Sequence, residues 1–396
     1  MKRAVSSILV VTATLACLSG LFALDPFSRV SDRLDRLFGA MPAWTQVTNM
    51  FRDPATQEVS RGSAPMESFQ RLAESWSAHP GVQRVMLMGN SQTYMTSLAA
   101  GEAPPSGPEK TYPDYIAEHY RQSGSQKLFY RLSAGAMSYQ EMLWYALYLS
   151  GSQRQNIKPD LLLVQLNYQN FVNGGIRGGM LEMLTDPDFH QRVEAVVRRN
   201  AADGDAFAEA LHAFDQSQSH SSSAAAGGPA PAANQTAGDQ IETAFRGELD
   251  RVPGFRQRDD LKTSFALMLT RFRIYFLHLG AARARSLSGS RLAASHAAIE
   301  DLAEVCRQAG IRLILFEAPT NPAVPLYLTA EDDRQYHEFS RTVAARFGLK
   351  ILDFEHSVPA GEWGMSLNIP DPLHLGREGH RRLASLICAA LDRDGV

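Results

Sequence analysis

The chain has 396 residues, 44% of them hydrophobic, and a formal charge of −3, which is enough for one large core, or a core with a subdomain, and gives no nucleic-acid footprint. Its three cysteines, Cys17, Cys306 and Cys388, show no Cys/His metal spacing, so neither a metal nor a cofactor is expected. Cys306 and Cys388 fall in predicted helices and read as buried free thiols, with a disulfide between them as the alternative in an oxidising compartment.

The elements follow in chain order. Met1-Lys2-Arg3 precedes an apolar stretch from about Ile8 to Leu24, a positive flank and a segment near the short limit of a spanning helix, about 17 residues. Cleavage motifs around Ala23 and Cys17 are poor, so residues 1–24 read as an uncleaved signal anchor rather than a removed signal peptide. Residues 25–80 read as a helical extension. Val85-Met86-Leu87-Met88 is an apolar run of strand length that ends at Gly89, and Ser91, Gln92 and Thr93 follow as helix-start residues. Ser91 therefore stands at the carboxyl end of a buried strand on the turn into a helix. Either it is an exposed nucleophile beside backbone N–H groups and a helix dipole, or it is a helix cap.

Lys127–Leu132 is the next strand candidate, ending at Ser133-Ala134-Gly135, where Gly135 offers an unhindered backbone N–H. Leu161–Val164 reads as a third buried parallel strand, with Asn167 just past it as a carboxamide donor and Tyr168 as an aromatic wall. After residue 175 the chain carries more than the alternating pattern needs. Asn173–Gly179 is glycine-rich and reads as flexible, helical patterns run from about Asp188 to Asn200, and residues 216–240 collapse into Ser, Ala, Gly, Pro and Gln, a composition that cannot bury enough apolar surface to order. Asn234-Gln235-Thr236 matches a glycosylation sequon by accident of composition, and Leu261–Arg285 reads as a long apolar and aromatic helix. Ile311–Phe316 and Leu349–Asp353 then resume the strand pattern, each preceded by a helical segment, which restores the alternation of a parallel doubly wound sheet. Trp363 is either core or a platform for a sugar ring. Asp371-Pro372-Leu373-His374 comes just before a helix from Arg377 to Leu391, so an acid and an imidazole three residues apart share one loop or first helical turn. His380 reads as a solvated face rather than a metal ligand.

Taken together, Ser91, Gly135, Asn167, Asp371 and His374 supply a nucleophile, oxyanion donors, a base and its orienting carboxylate at successive strand ends. Their order resembles the SGNH (GDSL-like) hydrolase superfamily, whose motifs contain Ser, Gly, Asn and His with an Asp three before the His. The resemblance covers residues 83–175 and 310–392. It implies a three-layer α/β/α parallel sheet, a serine hydrolase or acyltransferase, Ser91, Asp371 and His374 as the catalytic set, and Ser91, Gly135 and Asn167 as the oxyanion hole. Asn90 stands where the family commonly has Asp, and Gln165-Leu166-Asn167-Tyr168 replaces a Gly-x-Asn-Asp box. Gln92, Tyr168 and Trp363 are the candidate substrate contacts.

The expected organisation is an anchor over 1–24, the extension over 25–80, the first half of the core over 81–175, an insertion over 176–295 and the second half over 296–396. An anchor followed by an SGNH core is similar in layout to D-alanyl transfer proteins and to O-acetyltransferases of alginate-type exopolysaccharides. That likeness implies an inner-membrane-anchored, periplasmic domain, or alternatively one secreted to the periplasm. It would carry an acetyl- or D-alanyl-type group to a cell-surface polysaccharide beside a membrane-bound O-acyltransferase. A carbohydrate esterase or deacetylase, and a non-catalytic glycan-binding subunit, are the alternatives.

Overall fold

A computed structural model describes residues 51–52, 59–60, 65–94, 96, 110–134, 137–172, 174–199, 206–216, 289–324, 328–366 and 369–395. The proposed anchor, Gly135, the low-complexity tract beyond 216, the sequon and the apolar segment 261–285 lie outside these residues. In chain order the elements are β1 (Phe51–Arg52), β2 (Val59–Ser60), α1 (Pro65–Ala78), β3 (Gln83–Gly89), α2 (Tyr112–Gln122), β4 (Lys127–Ser133), α3 (Tyr139–Leu149), β5 (Leu161–Leu166) and α4 (Tyr168–Val172). They continue with α5 (Pro187–Arg199), α6 over 206–216, α7 (Gly289–Ala309), β6 (Arg312–Glu317), α8 (Ala330–Phe347), β7 (Lys350–Asp353), β8 (Trp363–Ser366), β9 (Ile369–Leu375) and α9 (Arg377–Arg393). All described residues except 215 and 216 lie in one compact unit formed by 42–214 and 282–396.

Five strands form one parallel sheet in the order β4-β3-β5-β6-β7. All five are strands the apolar runs predict, and their two-residue alternation sorts the side chains onto two faces. Met86, Met88, Leu132, Leu162, Val164, Leu313 and Leu315 pack into one apolar layer with α1, α3, α5 and α7. Val85, Leu87, Phe129, Leu161, Leu163, Ile314 and Phe316 pack into the other, with α2 and α9. The result is a three-layer α/β/α sandwich of flavodoxin-like strand order. Both faces are covered, which is why the strands read as continuous aliphatic runs.

The helices follow from their apolar spacing. In α1, Phe69, Leu72 and Trp76 recur at helical intervals and are the buried positions. In α9, Leu383, Ala384, Ile387, Cys388 and Leu391 make the stripe that lies on α2 and the sheet. Every residue of α3 is buried, because α5 and α7 pack over it while the sheet lies beneath. Ser138 and Glu141 form a capping box at the start of α3. The Glu141 carboxylate also takes two N–H bonds from Arg177, at 2.7 and 2.9 Å. That fork, together with Ser138 Oγ on the Gly175 carbonyl, docks the glycine-rich stretch after β5 onto the body. The expectation of a flexible 173–179 segment missed this pairing, since Glu141 and Arg177 are distant in sequence.

Candidate active site

In this strand order the chain leaves β3 for β4 on one side and returns to β5 on the other, so a crevice opens at the carboxyl ends of β3 and β5. Met88 pairs with Val164, and Ser91 and Asn167 each stand three residues beyond that register. The switch point therefore carries both candidates. Among the described residues the helix expected to start at Ser91 is a single 3₁₀ turn, Ser91–Thr93. Local N–H groups rather than a helix dipole are what this turn offers to a developing negative charge.

β9 brings in the partners. The sequence placed Asp371 and His374 on a loop or first helical turn; they stand instead on the second strand of an antiparallel β8–β9 hairpin beside the main sheet. His374 Nε2 is 3.0 Å from Ser91 Oγ, and Nδ1 is 3.1 Å from Asp371 Oδ2. Asp371 Oδ1 accepts from the backbone N–H groups of Leu373 (2.8 Å) and His374 (3.0 Å), which fixes the carboxylate plane. Burial acts to raise the Asp371 carboxyl, but the hydrogen bond and charge of His374 and the two backbone donors outweigh it and hold its pKa below the ordinary 3.8. Asp371 and His374 are 5% and 3% exposed while Ser91 is only half-buried, so the open end of the relay is the hydroxyl. The folded chain brings Ser91, His374 and Asp371 into one hydrogen-bonded line.

No family model and no curated protein matches the chain. Among solved structures it is similar to a carbohydrate acetylesterase from Sinorhizobium meliloti, at 9% identity and a TM-score of 0.33 over 78% of this chain and 99% of that one. An acetyl-xylooligosaccharide esterase from Geobacillus gives 10% identity and a TM-score of 0.34 over 79% and 94% of the two chains. An aryl esterase from M. smegmatis gives 10% and 0.31 over 79% and 99%.

Beneath Ser91 the core holds a lattice of buried neutral amides. Gln165 Oε1 accepts from Asn90 N at 3.0 Å, and Gln165 Nε2 donates to Gln92 Oε1 at 2.6 Å. Asn90 Oδ1 accepts from Gln92 N at 3.0 Å, and Asn90 Nδ2 donates to Asn170 Oδ1 at 3.2 Å, while Asn170 Nδ2 reaches the Met137 carbonyl at 2.8 Å. The two departures from the SGNH motifs, Asn90 and Gln165, are thus partners in one network. Gln92 Nε2 also donates to the carbonyls of Pro319 (3.3 Å) and Leu373 (3.1 Å). Gln92 is buried with its polar atoms engaged inside the protein, so it ties the Ser91 turn to β5, β9 and the loop after β6 instead of facing a substrate.

Other candidates distribute unevenly. Asn167 lies at the end of β5, its backbone N–H donating to the Tyr139 hydroxyl at 3.1 Å. Burial pushes the Tyr139 phenol far above its ordinary pKa, so it stays protonated. Tyr168 is half-buried against the α3 and α7 layer. Trp363 packs in the opposite layer at 2% exposure, with Nε1 donating to the Val358 carbonyl at 3.2 Å, which leaves no face for a sugar. His380 is fully buried rather than solvated: its ring stacks on Tyr112, and Nδ1 accepts the Tyr112 N–H at 3.2 Å.

Asn321, in the segment after β6 that the sequence places at the rim of the site, donates from Nδ2 to the Asp371 carbonyl at 2.8 Å and steadies β9, whereas sequence reading missed Asn170. A signal existed for the network in Gln165, a lone amide among aliphatic residues in a fully buried strand.

Chemically the arrangement can deprotonate a serine hydroxyl and hold the resulting imidazolium.

Proposed function

We propose that the protein is an extracytoplasmic serine acyltransferase that carries an acetyl- or D-alanyl-type group on Ser91 to a hydroxyl of a cell-surface polysaccharide. The observation that carries the reading is the continuous Ser91–His374–Asp371 relay, with a half-buried serine and two buried partners.

In the first half-reaction His374 Nε2 takes the Ser91 proton as Oγ attacks the donor carbonyl. The donor's ester C–O bond breaks, and its alcohol leaves with the proton from His374. In the second half-reaction His374 deprotonates the acceptor hydroxyl, which attacks the acyl-serine, and the proton returns to Ser91 Oγ. Asp371 holds the imidazole tautomer and balances the imidazolium. The Ser91 N–H, the Gly135 N–H and the Asn167 amide are the proposed oxyanion donors, and Tyr168 a candidate wall of the acceptor site. A membrane-bound O-acyltransferase as donor partner, inner-membrane anchoring through residues 1–24 and a periplasmic site belong to the same proposal; the apolar segment behind Met1-Lys2-Arg3 supports them. Among the described residues no helix is long and apolar enough to cross a membrane.

The test is intact-protein mass spectrometry after incubation with p-nitrophenyl acetate, with and without an acceptor oligosaccharide, for wild type and Ser91→Ala. The expected result is one acyl adduct on wild type alone that disappears as acylated sugar forms. Rapid deacylation that ignores the sugar would make the protein an esterase. No Ser91-dependent adduct with several esters would sink the enzyme reading in favour of a glycan-binding subunit.

A further inference from the structure

A second group of chemistry-bearing side chains lies at the far edge of the same sheet. β6 ends on Glu317, 7% exposed, whose place in the two-residue alternation puts it on the α8 face with Leu313 and Leu315. His337 of α8 lies beside it, with Nδ1 3.4 Å from Glu317 Oε1 and Nε2 3.1 Å from Glu355 Oε2, just past β7. One helical turn earlier, Asp333 Oδ1 is 3.8 Å from the same Nε2. Among the described residues no lysine or arginine pairs with Glu317, Glu355 or Asp333; besides His337 their only ion-pair partner is His356, which is 81% exposed and 3.8 Å from Glu355.

His337 meets a carboxylate at each nitrogen. An imidazole has a lone pair to offer a cation only when one nitrogen is unprotonated, so an ion among these carboxylates takes the place of a second ring proton. The spacing allows it. One ligand atom from each of Glu317, His337 and Glu355 lies within 4.8 Å of the other two. The 3.1 Å separation of Nε2 and Glu355 Oε2 is what two ligands about 2.1 Å from a zinc ion span at an angle of roughly 95°.

We propose that Glu317, His337 and Glu355 bind a divalent first-row transition ion of the Zn²⁺ class, with Asp333 within reach as a further oxygen ligand. The imidazole disfavours Mg²⁺ and Ca²⁺, which take oxygen ligands, and the absence of thiolate disfavours Cu⁺. The role follows from what the loops carry. Two residues past Glu317, the Pro319 carbonyl accepts from Gln92, and Asn321 donates to Asp371. Phe354 N–H donates to the Glu317 carbonyl at 3.2 Å, and Thr320 N–H to the Glu355 carbonyl at 2.9 Å. The ion would therefore clamp the ends of β6 and β7 to α8 below the loop that supports Gln92 and Asp371. No sequence spacing announces it, because its ligands come from a strand end, a helix and a loop.

The experiment uses the untagged full-length chain, stripped on a chelating resin, loaded with ZnCl₂, desalted and assayed for metal by mass spectrometry, with thermal melts in parallel. The expected result is one zinc retained per chain, a Tm raised by several degrees and lowered again by a chelator, and a visible absorption band when Co²⁺ is used instead. His337→Ala and Glu355→Gln should each lower retention at least tenfold, while His356→Ala should keep it. Retention far below one ion per chain by the wild type, or retention unchanged in Glu317→Gln, His337→Ala and Glu355→Gln, would overturn the site. The wild-type Co²⁺ spectrum decides the matter even where a variant fails to fold. None of these readouts depends on acyl transfer, so failure here leaves the Ser91 proposal untouched.

Discussion

Asp371 shows how much one carboxylate is asked to hold. It meets His374 Nδ1 with one oxygen and two backbone N–H groups with the other, and Asn321 grips its carbonyl. Asp371→Asn keeps the shape but lets the amide donate to Nδ1, which turns the imidazole into the tautomer that presents N–H rather than a lone pair to Ser91. The acylation rate of Ser91 is expected to fall roughly 10⁴-fold with the fold intact, read by stopped-flow acylation and far-UV circular dichroism. Because its folded pKa lies below the unfolded value near 3.8, Asp371 contributes stability that is complete above about pH 4 and is lost as pH falls through the lower folded pKa. Chemical denaturation across pH 2–5 should show a steeper acid loss in wild type than in Asp371→Asn; equal slopes would mean the carboxylate is not held as described. Residues such as Asp371 and His374 were legible in the sequence because their spacing is short. Trp363, Gln92 and His380 were not, since whether an aromatic, an amide or an imidazole faces water or core is settled by residues far away in sequence: Val358 and α9 for Trp363, Gln165 and Pro319 for Gln92, Tyr112 for His380.

Among elements, the β3 turn carries the tightest constraint. A Cβ on Gly89 would collide with Thr93 Cγ2 and lie 2.5 Å from Gln165 Oε1, so the last residue of β3 must be glycine for the amide lattice to close under Ser91. Gly89→Ala should cost about 1–3 kcal/mol by overpacking, seen as a lower denaturation midpoint, and should slow acylation because Ser91 is two residues away. An alanine variant as stable and as fast as wild type would show that the turn has room to relax. The five main strands were legible because burial on both faces leaves an unbroken aliphatic signature. The β8–β9 hairpin was not. Its Ile-Pro-Asp-Pro-Leu-His-Leu strand has prolines where a ladder wants donors, and it pairs with Trp363–Ser366 in an irregular register that no local pattern encodes. That hairpin is what swings Asp371 and His374 across to Ser91.

At the scale of the whole molecule the two apolar layers are separated by the sheet, and each holds one cysteine. Cys306 of α7 lies in the layer with α3, whereas Cys388 of α9 lies in the layer with α2, so the bridge the sequence left open is ruled out by the sheet between them; both are free and buried. Burial pushes both thiols up to about 12. At pH 8 a thiol with that pKa is ionised in about one molecule in ten thousand, and only the thiolate alkylates readily. Each cysteine is therefore a silent reporter that answers when its own layer opens. If the sheet unites the layers into one cooperative unit, iodoacetamide labelling followed by peptide mapping should leave both cysteines unmodified in buffer and label them with the same denaturant midpoint. Labelling of Cys388 well before Cys306 would mean instead that α2 and α9 peel from the sheet as a separate unit. In that case His374, which is carried by the strand leading directly into α9, would lose its place opposite Ser91 before the rest of the core unfolds, and acylation would fail at lower denaturant than global structure.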